Sequence, residues 1–178
     1  MQTEAHPLES FFHHAVRSSY EGKLRLNDPE ITLYVARMLC EFTKPENLFR
    51  LREATESTVE TFRVMVKTAD PVYGTATSFD AERAIRKYIG DYALFISGMF
   101  LDVVESGPTP EADRATLAEL IQLGKESYYI VSQFDVFDYK EEAPLFARLS
   151  DRFEHCVLGL ALIREELGNC KDAASTEN

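Results

Sequence analysis

One acid, four histidines and three cysteines are the residues of this chain whose types and surroundings could do chemistry. Asp91 lies in the stretch 85–104 (IRKYIGDYALFISGMFLDVV), which has no proline, is apolar on most of its circumference and carries Gly90 and Gly98. If exposed, Asp91 is the i−4 partner of Lys87. If buried, it must be hydrogen-bonded, with Tyr128 or Lys125 in reach. A raised pKa would make it a candidate acid catalyst. Around it, Tyr88, Tyr92, Phe95 and Tyr128 could line an aromatic pocket closed by the 68–78 loop.

The histidines form two i, i+4 pairs with acids, Glu9/His13 and Asp151/His155. A bundle can gather such groups into a di-metal site. No Glu-x-x-His pair occurs, however, and His13, His14 and His155 project away from the apolar faces of their helices. No metal ligand is assigned. Cys40 and Cys156 lie on apolar faces and read as core thiols rather than nucleophiles. The chain has no GxSxG, P-loop, GxGxxG or HExxH motif. The GKES at 124–127 lacks the upstream glycine of a phosphate loop. No catalytic residue and no cofactor is assigned.

The elements that must position these residues are helices. Leu8, Phe11, Phe12, Ala15 and Val16 share one face of a first helix over 7–20. Asp28-Pro29-Glu30 starts a second by an acidic cap, a proline at the first helical position and an acid in the first turn. It runs to Phe42 with apolar stripes on two sides (Ile31, Tyr34, Val35, Met38, Leu39, Phe42; Leu33, Ala36, Cys40), so it lies between neighbours. A short helix covers 45–52. The spacing of Val59, Phe62, Met65 and Val66 predicts a peripheral helix over 55–68, with a strand as the alternative. The sequence at 68–78 (TADPVYGTATS) is a loop. A central helix over 79–104 and a helix over 109–134 flank the turn at 105–108, giving an antiparallel hairpin with Gly90 level with Gly124. A mid-helix glycine costs about 1 kcal/mol against alanine. Facing glycines therefore imply a close backbone approach, which Ala93 and Ser97 extend, or else a ligand cavity or kink. A last helix over 143–167 buries Leu145, Leu149, Phe153, Cys156, Leu160, Ile163 and Leu167, with Gly168 as its cap. Residues 169–178 read as a disordered tail.

The fold class is therefore all-α: one compact bundle of six to seven helices over residues 1–168, built on the 79–134 hairpin. The net charge of −11, from 30 acids against 19 bases, argues against nucleic acid and anionic membrane as partners. The longest apolar run is about half the ~20 residues of a membrane span. The odd, widely spaced cysteines and the absence of a signal sequence point to the cytoplasm. On the last helix, Leu158, Ala161 and Leu162 lie off the core face near His155. They could form a patch for self-association or another protein, or be covered by the N-terminal segment or the 68–78 loop.

The segments 29–42 (PEITLYVARMLCEF) and 88–100 (YIGDYALFISGMF), with Tyr128 and Tyr129, resemble a family of uncharacterised bacterial all-helical proteins. Its members share a Gly-Asp-x-x-Leu-Phe-x-x-Gly-x-Phe central helix, in which Met99 here replaces a usual aromatic. The resemblance implies a soluble bacterial protein and supplies no activity. Function is thus expected to be that of a non-catalytic helical interaction module capable of self-association. The alternatives are a small-molecule-binding protein or enzyme and, more remotely, a carboxylate/histidine metal site.

Overall fold

Two polar caps start the two helices that frame the candidate site. The computed structural model describes residues 7–47, 64, 67–68, 78–100 and 117–175, and these contain no strand. Helix α1 (Pro7–Arg17) runs directly into a π-helical turn, Ser18–Lys23. Helix α2 spans Pro29–Phe42, α3 Phe79–Met99 and α4 Leu117–Ser132. A 3-10 turn at Phe137–Tyr139 leads to α5 (Ala143–Asp151) and α6 (Phe153–Ser175). The all-α architecture matches the sequence reading.

Asp28 caps α2 by accepting the Ile31 N–H at 3.2 Å, and Ser78 caps α3 by accepting the Ala81 N–H at 3.2 Å. Asp28 also accepts Arg148 Nε at 2.8 Å, which ties the start of α2 to α5. Partial burial raises the Asp28 pKa, but the Arg148 guanidinium and the Ile31 N–H outweigh it and leave the carboxyl below its usual range.

Helix α3 is the centre of the bundle. Residues 89–98 are all buried, and its closest backbone neighbours are α4 and α6. Phe79 meets Phe134 while Gly90 meets Tyr128, so α3 and α4 run antiparallel, as expected. Helix α2 touches α3 differently, through long side chains rather than close backbones. The Phe42 and Phe95 rings stack with centroids 4.6 Å apart.

The glycines explain how α3 packs. A Cβ on Gly90 would lie 2.5 Å from the Tyr128 ring, and one on Gly98 would lie 2.4 Å from Leu160. Gly124 receives Phe153 and Gly159 receives Tyr20 in the same way. The expected Gly90–Gly124 backbone contact is therefore corrected: each glycine is a seat for a bulky side chain of a neighbouring element. A helical side chain leans towards its own N-terminus. At the height of Gly124, what meets α3 is thus the ring of Tyr128, one turn further along α4.

Other expectations shift too. Leu8 and Phe11 share a stripe with Phe12 and Val16, yet both are exposed, and so is Leu33. The helix expected over 143–167 breaks at Arg152, whose N–H turns back to the carbonyls of Arg148 and Ser150. The second piece continues through Gly168 to Ser175, so Gly168 does not end it. The first helix gives way to the π turn at Ser18, which docks on α6 through Ser19 Oγ–Gly159 O (2.8 Å) and Tyr20 OH–Cys156 O (2.9 Å). The helix expected over 55–68 (all but residues 64, 67 and 68), the loop over 69–77, the turn at 105–108 and the helix start at 109–116 lie outside the described residues.

Candidate functional site

Asp91 is the one carboxylate in the buried run of α3, with 8% of its surface exposed. Three helices supply its partners. Its Oδ1 accepts the hydroxyls of Tyr34, from α2, and Tyr128, from α4, the latter at 2.7 Å. Its Oδ2 accepts Lys87 Nζ at 2.8 Å, one turn back on α3. The conditional reading of the sequence resolves into both its branches: the acid is buried, and it bonds both Tyr128 and Lys87. Lys125 turns the other way and pairs with Glu154 at 2.7 Å.

Burial, with the Asp91 carboxylate beside them, pushes the Tyr34 and Tyr128 phenols well above their usual range. Both hydroxyls therefore stay protonated at neutral pH and donate to a charged acceptor, the stronger kind of hydrogen bond. Sequence reasoning missed Tyr34, placing it only on an apolar stripe. The signal was available in its type: a tyrosine on a buried face needs a partner for its hydroxyl.

One edge of this cluster reaches a cleft. A cavity of about 510 Å³ opens between α2 and α3, lined by Tyr34, Arg37, Met38, Glu41, Phe42, Asn47, Lys87, Tyr88, Asp91 and Glu142. Of the sequence-derived pocket residues, Asp91 and Tyr88 stand at its wall. Tyr92, Phe95 and Tyr128 do not; they are buried in the core, where Tyr92 stacks on Tyr88 with centroids 6.1 Å apart.

Charges on the wall are unevenly used. Glu41 is paired with Lys44, Glu142 with Arg83, and Asp91 with its three donors. Lys87 spends one of its three N–H donors on Asp91 and keeps 37% of its side-chain surface exposed. Arg37 makes a single contact with Glu9 at 3.5 Å and is largely exposed. The wall thus has its acids engaged and donors to spare on two cations, beside the rings of Tyr88 and Phe42.

The other candidate residues do not converge. His155 and Leu158 are exposed on α6, and Leu162 is half-buried. Glu9 pairs with Arg37 rather than His13. No cluster of three metal-ligating side chains exists among the described residues. Cys156 is buried, and burial pushes its thiol up to about 12, which keeps it un-ionised and unreactive. No helix among the described residues is long and apolar enough to cross a membrane. No family model, curated protein or solved structure matches the chain.

Proposed function

We propose that this protein binds a small anionic molecule with a planar or aromatic ring in the cleft between α2 and α3, without transforming it. The observation that carries the reading is the combination of a 510 Å³ cleft with donors to spare on Lys87 and Arg37 beside Tyr88 and Phe42. That volume falls in the range of small-molecule sites. Asp91 acts as a positioning group: it holds Lys87 at the wall, with three donors engaged on its two oxygens. The free thiols Cys40 and Cys156 favour a cytoplasmic setting.

The test is a thermal-shift and calorimetric titration with aromatic carboxylates (benzoate, 4-hydroxybenzoate, indole-3-acetate), with benzylamine as the cationic counterpart. The reading expects at least one carboxylate to raise Tm, and that rise to be lost in Lys87→Met. Binding of benzylamine alone, or carboxylate binding that survives both Lys87→Met and Tyr88→Ala, would overturn it.

A second reading, self-association through His155, Leu158 and Leu162, draws support from Leu158, which keeps 50% of its surface exposed on α6. Sedimentation of wild type against Leu158→Glu decides it: a strict monomer at micromolar concentration removes this reading.

A further inference from the structure

The segment from Phe134 to Glu142 holds an aromatic ring out into water at a cost to its own backbone. Phe137 has φ 50°, the left-handed region that bulky L-residues avoid, and its side chain is 92% exposed. Strain of this kind concentrates where a protein binds or acts.

The backbone that carries the ring is tied down at its neighbours. Tyr139, two residues on, donates its hydroxyl to Asp80 Oδ1 at 2.8 Å. The Arg83 guanidinium sits over the Tyr139 ring, 3.9 Å from its centroid, and also bonds Glu142. The Tyr139 N–H closes the turn on the Val136 carbonyl at 3.1 Å. Beside Phe137, Val136 is half exposed, and Phe79 is 78% exposed while packing edge-on against Phe134. An aromatic anchor whose backbone is fixed in advance loses less entropy on binding than one on a free loop.

The surroundings are acidic. Asp135, Asp138 and Glu141 are exposed and make no ion pair with a described residue, and Lys140 is the single base between 135 and 142. We propose that Phe137 is the anchor of a docking surface for a basic protein: its ring enters an apolar socket whose rim carries Lys or Arg opposite Asp135, Asp138 and Glu141. A second copy of this chain, at net charge −11, brings the wrong sign to such a rim. Anionic lipid and nucleic acid are repelled for the same reason.

The experiment replaces Phe137 with the photo-cross-linker p-benzoylphenylalanine in the full chain, irradiates it in extract of cells that express the protein, and maps the cross-linked peptide by mass spectrometry. The same label at Leu158 is the control. The expected product is one partner segment with apolar residues flanked by Lys or Arg. Its yield should fall about tenfold when Asp138→Lys and Glu141→Lys are added, and again at high salt. Excess unlabelled wild type should suppress the product, and excess Phe137→Gly, once circular dichroism has established that it folds, should not. A cross-link to a second copy or to lipid, a yield no higher than at Leu158, or a product indifferent to the charge reversals would each overturn the proposal.

Discussion

Asp91 and Phe137 are each placed in the medium that suits them least, a carboxylate in the core and a phenyl ring in water. The chain treats them in opposite ways. Asp91 is compensated internally, with donors from α2, α3 and α4 meeting its two oxygens. The Phe137 ring is left 92% exposed and is carried on a left-handed backbone. A buried polar group that is fully partnered explains itself as structure. The proposed docking role is what would account for an exposed apolar group on a strained backbone.

Removing the compensation should expose the difference. Asp91→Ala leaves the buried Tyr34 and Tyr128 hydroxyls without their acceptor and opens a void. Urea unfolding should show a loss of about 3 kcal/mol or more. A loss under ~1 kcal/mol would mean that the node is solvated and that the contrast fails. Gly90→Leu drives a side chain into the Tyr128 ring that supplies one of those hydroxyls, and should cost about 3 kcal/mol through overpacking. A variant that melts like wild type would show that the seat is open.

The buried phenols and the Cys156 thiol extend the comparison to pH. Their folded pKa values are raised, so their contribution is fully present below the unfolded values, about 8.5 for Cys and 10 for Tyr, and is lost as pH rises towards the folded ones. Tm should therefore fall from about pH 8.5 upward. Cys156→Ala should make the fall between about pH 8.5 and 10 shallower, since that interval belongs to thiols. An unchanged slope would remove Cys156 from the account. The smallest effect has the opposite sign. Phe137→Gly should leave stability unchanged or raise it by about 1 kcal/mol, because glycine accepts the left-handed conformation freely. A loss of stability would show that Phe137 supports the fold after all.

Sequence made some of this legible. Asp28-Pro29-Glu30 announced α2 to the residue, and the periodicity of 79–104 announced α3. The break at Arg152 was hidden because Leu149, Phe153 and Cys156 keep steps of three and four across it, so the apolar pattern runs on while the backbone turns. The glycine seats were half visible: a glycine inside a helix signals a tight contact, but the contacting atom belongs to an element far off in sequence, as Tyr20 does for Gly159. The cleft was least legible of all. It exists because α2 stands off from α3 on the ends of Tyr34 and Phe42, a spacing that no stripe of apolar residues encodes. Phe137 gave no signal either, since its oddity is an angle.

The seats at Gly90, Gly98, Gly124 and Gly159 also act as detents. A side chain lodged in a notch without a Cβ resists translation along the helix axis, so sliding of α3 past α4 or α6 must first lift Tyr128 from Gly90 or Leu160 from Gly98. Helix α2 has no glycine and grips α3 only through side-chain tips. No such seat holds α2 against α3, so a rocking of α2 that widened or narrowed the cleft would meet no detent of this kind.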